Sequence, residues 1–248
     1  MSATNKFWNN LKTALRSSGV FMRNKIPLPL KLLAVFRYFL GSSYRIIARN
    51  LHINVSHVSV WNWYHALGKA LMERIFKLAG GAKVVIVDET VINFRGKEVY
   101  LWAAIDPETR KIVFLYPSYS RSYLAALKFF TLMMRFAGKP ELVITDGGPW
   151  YKPALRRLGI KHKEMHGGER NYIERWFETL KDRARGFDVY YPGRRDSFET
   201  LLEWLSMFVL YYNHARYHMT LGRPPVPLGG GDEYERWIFA VHAALILS

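Results

Sequence analysis

The stretch KVVIVDET, residues 83–90, decides the fold of this chain. Its run of β-branched residues is typical of a short buried strand, which ends at the carboxylate of Asp88. The stretch ELVITDGG, residues 141–148, has the same form and ends at Asp146. A single aspartate at a strand end often only caps a turn. Two of them converge at the rim of an α/β sheet, where the sites of such sheets lie, and we therefore expect a shared site.

Further strands and helices surround these two stretches. Apolar or β-branched runs at 99–106 and 111–119 predict two more strands joined by a turn, and residues 160–166 predict a possible fifth. The segments 123–138 and 150–159 predict helices that end at glycine. Three consecutive strands followed by alternating helix and strand predict an α/β fold with a mixed sheet and flanking helices.

The segment NYIERWFETLKDR, residues 171–183, predicts an amphipathic helix. One side carries a buried stripe with the i, i+3, i+4, i+7 spacing, which consists of Ile173, Trp176, Phe177 and Leu180. The other side carries Glu174 and Glu178, four residues apart. These acids form either a solvated charged face or the third ligand of an acidic site.

Three carboxylates would make a hard, oxygen-rich site, which suits Mg²⁺ or Mn²⁺ rather than zinc. Two such ions, roughly 4 Å apart, can activate an attacking oxygen and stabilise the leaving oxygen in phosphodiester transfer. Trp150, shortly after Asp146, is interpreted in two ways: its ring stacks on a DNA base, or it packs against the protein.

The charge distribution points to a polyanionic partner. The chain carries a net charge of +16, from 36 basic and 20 acidic residues. Residues 1–80 hold twelve of the basic residues and only one acid, Glu73, which gives this segment a charge of +11. Because each neutralised phosphate releases counterions, such a segment is typical of nucleic-acid binding, although attraction to anionic lipid is an alternative.

Composition excludes other classes. The chain has no cysteine, which excludes disulfides and thiolate zinc sites and fits a reducing compartment. The sequence predicts neither a signal peptide nor the roughly 20 consecutive apolar residues of a membrane span. We therefore expect a cytoplasmic protein that does not act at a membrane.

Residues 42–67 predict a helix-turn-helix. Ser42 or Ser43 would cap a short first helix, and Ser56 would cap the second. The usual turn glycine is replaced by His52, so an ordinary helical hairpin remains an alternative.

The second helix of this motif is expected to pack through Val58, Trp61 and either Tyr64 or His65, and to expose Val60 toward a groove. The residues expected to contact DNA here are Arg45, Arg49, Ser56, His57, Ser59 and Asn62.

Five segments together resemble the DDE transposases of insertion sequences, and the IS6/IS240 group in particular. They are VDET (87–90), YLWAAIDPETRKIVF (100–114), VITDGG (143–148), NYIERWFETLKDR (171–183) and YYNHARYHMTLGRPP (211–225). The resemblance covers about residues 42 to 225. It implies a helix-turn-helix domain followed by a ribonuclease-H-like catalytic domain.

The resemblance also implies roles for single residues. Asp88, Asp146 and Glu174 match the three acids that hold the metal ions and catalyse the reaction. Lys181, two helical turns after Glu174, would contact DNA phosphate, and Arg175 would also contact DNA. The step from Asp146 to Glu174 is 28 residues, shorter than usual in the family, so Glu178 remains a rival third acid.

The sequence predicts three regions. Residues 1–80 form the basic DNA-binding region, 81–225 the catalytic domain, and 226–248 a Gly/Pro linker with an apolar helix that packs on the body or on a partner.

The expected function is that of an insertion-sequence transposase with a Mg²⁺ or Mn²⁺ cofactor. It would bind double-stranded DNA, at the element ends and at the target, as a homodimer or higher oligomer in the prokaryotic nucleoid. The alternatives are a domesticated or inactive DNA-binding protein and a nuclease of the same fold.

Overall fold

The computed structural model describes residues 3–22, 25–51, 55–94, 96–165, 169–184 and 198–247. The chain divides into two compact units. Residues 1–78 and 199–248 form one, which we call the helical unit, and residues 79–198 form the other, the sheet unit.

The bounds of the elements are as follows. The helices in chain order are α1 (Ala3–Ser17), α2 (Leu28–Phe39), α3 (Tyr44–Asn50), α4 (His57–Leu71), α5 (Arg74–Ala79), α6 (Tyr123–Ala137), α7 (Tyr151–Arg157), α8 (Glu169–Ala184), α9 (Phe198–Leu210) and α10 (Glu233–Ile246). The strands are β1 (Val84–Phe94), β2 (Lys97–Ile105), β3 (Ile112–Ser118), β4 (Leu142–Thr145) and β5 (Lys161–Glu164).

The sheet unit is built on a mixed sheet with the strand order β3-β2-β1-β4-β5. Strands β1, β2 and β3 pair antiparallel as a meander, whereas β4 is parallel to β1 and β5 is parallel to β4. The first turn passes through Gly96 at φ +75°, and the Asn93 side chain accepts a hydrogen bond from the Gly96 N–H at 2.9 Å. The predicted mixed α/β sheet with flanking helices is confirmed.

Apolar burial places β1 at the centre of this sheet. Val85, Ile86 and Val87 are at most 1% exposed, and neighbouring strands pair with both edges of β1. Trp102 on β2 and Phe129 on α6 are fully buried, and their rings lie together in the aromatic core between the helices and the sheet. The carboxylates of β1, Asp88 and Glu89, therefore lie on the central strand of the sheet, between β2 and β4.

In the helical unit, α3 and α4 begin at the predicted capping residues. Ser43 accepts a hydrogen bond from the Ile46 N–H, and Ser56 accepts one from the Ser59 N–H at 3.1 Å. The predicted turn residue His52 lies outside the described residues.

The predicted faces of α4 are wrong at two positions. Val60 is fully buried, and Val58 is 48% exposed. The reason is the phase of the helix: the buried stripe of α4 consists of Val60, Tyr64, Leu67 and Leu71.

The C-terminal segment folds with the helical unit. Helix α9 ends at Leu210, and the chain continues as one π-helical turn, Tyr211–Ala215. Helix α10 packs against α1, α2 and α4, and its Trp237 is fully buried. Residues 199–225 therefore group with the helical unit, which differs from the predicted domain boundary at 225.

No helix among the described residues has both the length and the apolar character that a membrane crossing requires.

Candidate active site

The two predicted aspartates lie side by side on neighbouring strands, but Asp88 lies within β1, which continues to Phe94, and not at the strand end that the sequence predicted. Strands β1 and β4 run parallel, with Ile86 opposite Ile144. Asp88 lies two residues beyond Ile86 on β1, and Asp146 lies two residues beyond Ile144, directly after β4. Asp88 is partly buried and Asp146 is exposed. The parallel register therefore brings together two carboxylates that are far apart in the sequence.

Local backbone contacts orient both aspartates. Oδ1 of Asp88 accepts a hydrogen bond from the Glu89 N–H at 2.8 Å. Oδ1 of Asp146 accepts one from the Gly148 N–H at 3.0 Å, in a turn where Gly147 adopts φ +87°. The Asp146 bond is typical of an aspartate in a tight turn, whereas the Asp88 bond lies within β1; each bond orients its carboxylate.

Helix α8 carries the candidates for the third acid and packs against β1. The predicted buried stripe is confirmed, since its members are at most 6% exposed: Ile173, Trp176, Phe177 and Leu180. Glu174 and Glu178 are exposed on the other side of the helix. Within the described residues, no three His, Asp or Glu side chains group closely enough to hold a metal ion. The strand register thus brings Asp88 and Asp146 together, and no third acid among the described residues completes a three-acid group with them.

The donor chemistry of the paired aspartates fits a hard divalent cation, because carboxylate oxygens are the ligands that Mg²⁺ and Mn²⁺ prefer. The electrostatic potential around the two aspartates is also negative. Burial raises the pKa of the Tyr151 hydroxyl well above its ordinary value, and the charges of Glu89, Asp88 and Asp146 raise it further. A cation bound here would relieve the mutual repulsion of these carboxylates.

A further carboxylate, that of Glu89, follows Asp88 on β1 and is influenced by the charge of Asp146. Its side chain is only 3% exposed, and its Oε1 lies 2.9 Å from Nε of Arg121. The Tyr151 hydroxyl donates a hydrogen bond to Oε2. Burial raises the pKa of Glu89, while the Tyr151 hydrogen bond and the charge of Arg121 oppose that rise.

Sequence patterns did not identify the partners of Glu89. Arg121 also lies against the ring of Trp150, with its guanidinium carbon 4.1 Å from a ring centroid. The Trp150 ring, for which the sequence left base stacking or packing open, thus contacts the protein through Arg121. The available signal was an acid placed directly after Asp88 inside an otherwise apolar strand.

The residues predicted to contact DNA lie mostly at the surface of their units. The exposed ones are Arg45, Arg49, Ser56, His57, Asn62, Arg175 and Lys181, whereas Ser59 is half-buried. The Ser56 hydroxyl bonds both the N–H and the hydroxyl of Ser59. Both serine hydroxyls therefore stabilise the start of α4.

Comparison with known proteins identifies the domain that carries these residues. Residues 82–196, which contain both aspartates and α8, match the family model of the IS240-type DDE domain. The match defines a DDE-domain protein.

The relatives extend this match. The chain is 32% identical to an uncharacterised protein of Methanocaldococcus jannaschii, over 83% of this chain and 95% of that protein. It is also 32% identical to the transposase for the insertion sequence-like element IS431mec of Staphylococcus aureus, over 47% of this chain and 53% of that protein. The chain belongs to the IS6/IS240 family of DDE transposases.

Solved structures with a similar arrangement include two of retroviral origin. The HTLV-2 integrase catalytic core domain, in complex with magnesium, aligns with a TM-score of 0.47 at 14% identity, covering 59% of this chain and 95% of that chain. A chain of the simian T-cell lymphotropic virus intasome aligns with a TM-score of 0.48 at 13% identity, covering 77% of this chain and 72% of that chain.

Proposed function

We propose that this chain is the transposase of an insertion sequence, which binds the terminal inverted repeats and catalyses DNA cleavage and strand transfer. The observation that carries the proposal is the pair of Asp88, within β1, and Asp146, directly after the parallel strand β4, which lie side by side in the family-matching segment. The basic residues of segment 1–80 supply the affinity for DNA.

The catalytic groups of this proposal are Asp88, Asp146 and Glu174. Together they would hold Mg²⁺ or Mn²⁺, with Glu178 as the rival third acid. When bound, the ions supply Lewis-acid stabilisation of the attacking and leaving oxygens. The protein residues fix the carboxylates and supply cations, Arg175 and Lys181, that bind the DNA phosphates.

Two successive phosphoryl transfers account for the reaction. Water attacks a phosphodiester at the end of the element, the bond between phosphorus and the 3′ oxygen breaks, and a free 3′-hydroxyl is left. That hydroxyl then attacks a target phosphodiester, forming a new bond to phosphorus while the 3′ oxygen of the target leaves. Neither step needs a covalent bond between protein and DNA.

DNA binding belongs to the helical unit in this proposal. Helix α4, with α3 behind it, would enter a groove, and the contacting residues would be Arg45, Arg49, Ser56, His57, Ser59 and Asn62. Because an element has two ends, the active form is at least a homodimer on DNA. We also propose that the protein acts in the cytoplasm, at the nucleoid.

The first prediction concerns the paired aspartates. Asp88→Asn and Asp146→Asn each remove a negative charge from the site while keeping the shape of the side chain, so each abolishes Mg²⁺-dependent strand cleavage. Affinity for DNA from the element end stays within about threefold, because neither residue lies in the helical unit. Labelled DNA that spans the element end, incubated with Mg²⁺ or with EDTA, measures binding, cleavage and joining together.

Three outcomes of that assay separate the alternatives. Wild-type cleavage by either variant contradicts the catalytic assignment. Specific binding by the wild-type chain without any cleavage supports a domesticated or inactive DNA-binding protein, and the lack of a three-acid group among the described residues favours this second candidate. Cleavage without joining identifies a nuclease.

A further inference from the structure

Four residues beside the paired aspartates form a connected cluster, which we call the Glu89 cluster: Glu89, Arg121, Trp150 and Tyr151. They come from three parts of the sheet unit. Glu89 lies on β1, Arg121 lies between β3 and α6, and the two aromatic residues lie where α7 begins. The cluster therefore connects segments that the sheet alone does not join.

The energetics of burial make Glu89 the anchor of this cluster. A carboxylate that is only 3% exposed is costly unless it is paired and hydrogen-bonded. Glu89 meets both conditions through the Arg121 guanidinium and the Tyr151 hydroxyl. Because losing either partner leaves a buried charge uncompensated, the contacts fix the positions of both partners relative to β1.

The cluster determines the course of the loop that follows Asp146. The loop runs from Asp146 to Trp150, and its Gly148 N–H bonds the Asp146 carboxylate. The Trp150 ring lies so close to this loop that a Cβ built on Gly148 would be 2.7 Å from the ring. Strand β4 holds the start of the loop, while Arg121 and Glu89 hold its end through Trp150 and Tyr151.

Glu89 is also the neighbour of Asp88 in the chain. The Glu89 N–H donates to Oδ1 of Asp88, so the backbone that carries Glu89 also orients the first aspartate. One residue thus contacts the segment of each aspartate. It is joined to Asp88 through the backbone and to the Asp146 loop through its side chain.

We propose that Glu89 is a positioning residue, which holds the Asp146 loop against β1 and so fixes the separation of Asp88 and Asp146. This inference rests on the proposed function, because a fixed separation matters only if the two carboxylates share divalent ions. Glu89 also pairs with Arg121, which keeps that guanidinium from pairing with the aspartates in place of a metal ion.

The test measures Mn²⁺ binding to the full-length protein without DNA, by the electron paramagnetic resonance signal of the free ion. Glu89→Gln keeps the shape of the side chain but removes its charge, and we expect at least a tenfold loss of Mn²⁺ affinity. Tyr151→Phe removes only the hydroxyl, and we expect a loss of about threefold to tenfold. Because both changes act through one carboxylate, the double variant loses less than the product of the two effects.

A matched control separates positioning from general stability. Lys111 donates hydrogen bonds to the carbonyls of Ala79 and Gly81, at 2.9 and 2.8 Å, near the opposite edge of the sheet. Lys111→Met should lower the thermal midpoint of the sheet unit and leave Mn²⁺ affinity unchanged. Cleavage rates at saturating Mn²⁺, per folded molecule, should fall for Tyr151→Phe and stay unchanged for Lys111→Met.

Two results would overturn the inference, and they are distinguishable. Unchanged Mn²⁺ affinity in both Glu89→Gln and Tyr151→Phe refutes the positioning role alone, whatever their thermal midpoints. A wild-type protein that binds Mn²⁺ no better than the double variant Asp88→Asn, Asp146→Asn refutes the proposed metal site, and the positioning role with it.

Discussion

Glu174 and Glu178 carry the same carboxylate one helical turn apart on the exposed side of α8. A geometric pattern cannot distinguish them, because both project from the side opposite the buried stripe. The family motif assigns the metal-binding role to Glu174. The two residues therefore offer a matched comparison within a single helix.

We predict that Glu174→Gln abolishes metal-dependent cleavage and that Glu178→Gln retains it within about threefold. Both changes remove one charge from an exposed helical position, so both should alter the free energy of unfolding by less than about 0.5 kcal/mol. Cleavage of end DNA measured beside urea denaturation tests the pair. Loss of cleavage in Glu178→Gln alone would reverse the assignment.

Residues differ in how far sequence alone can place them. Asp88 and Asp146 could be predicted as partners because each ends a β-branched run, and strand ends meet at a sheet edge. The role of Glu89 could not be predicted, because it depends on Arg121 and Tyr151, which come from distant parts of the chain. Only the folded sheet unit brings these groups into contact.

At the scale of elements, α4 shows how helical phase decides which residues a partner can reach. Val58 and Val60 have the same side chain and lie two residues apart, yet Val60 is fully buried and Val58 is 48% exposed. A rotation of roughly 100° per residue separates their faces by about 200°. The exposed side of α4, which is the side available for the proposed contact with a DNA groove, therefore carries His57 and Asn62 rather than Val60.

We predict that Val60→Ala lowers the free energy of unfolding of the helical unit by roughly 2 kcal/mol, because it removes buried methyl groups and leaves a cavity. Val58→Ala should change it by less than about 0.5 kcal/mol. Chemical denaturation followed by far-ultraviolet circular dichroism compares the two. Equal losses in both variants would refute the phase of α4 described above.

The strands were easier to predict than the helices. Four of the five strands coincide with apolar or β-branched runs, which mark them locally, whereas β5 consists of polar residues, Lys161–Glu164. Helix α1 was not predicted, since its buried positions, such as Leu11 and Leu15, become meaningful only with α10 beside them. The π-helical turn at Tyr211–Ala215 also has no local sequence signal that a strand-and-helix pattern could detect.

At the scale of the whole molecule, the basic charge proposed to bind DNA and the acidic residues proposed to catalyse the reaction lie in different parts of the chain. The basic excess lies in segment 1–80, whereas the paired carboxylates lie in the sheet unit. Binding to DNA should therefore depend strongly on salt, because cations on the protein displace counterions from phosphates. Catalysis at saturating DNA should depend on salt far less.

We predict that Arg45→Ala and Arg49→Ala each reduce the slope of log affinity against log salt by about 0.9, the value for one lost phosphate contact. Both arginines are exposed on α3. Lys139→Gln, which removes an exposed cation of the sheet unit, should leave the slope unchanged. Fluorescence anisotropy with end DNA at several salt concentrations measures these slopes. An unaltered slope in both arginine variants would exclude α3 from the interface.

The division into units could not be predicted either, because it depends on contacts between distant parts of the chain. Local patterns placed a boundary at 225, after the last family motif. The structure groups residues 199–248 with residues 1–78, since α10 packs against α1, α2 and α4. A local sequence pattern cannot show that α10 packs against helices near the start of the chain.

This grouping of segments determines the order in which the two units can fold on the ribosome. The sheet unit is one continuous segment, so it can fold as soon as residue 198 has left the exit tunnel. The helical unit must wait for α10, although its first helices are made earlier, and the 48 residues from 199 to 246 take about 2–10 s to synthesise at roughly 5–20 residues per second. Under the proposed function, the unit with the paired aspartates would therefore be complete before the unit that binds DNA, and a nascent chain would engage its element firmly only when synthesis has passed α10.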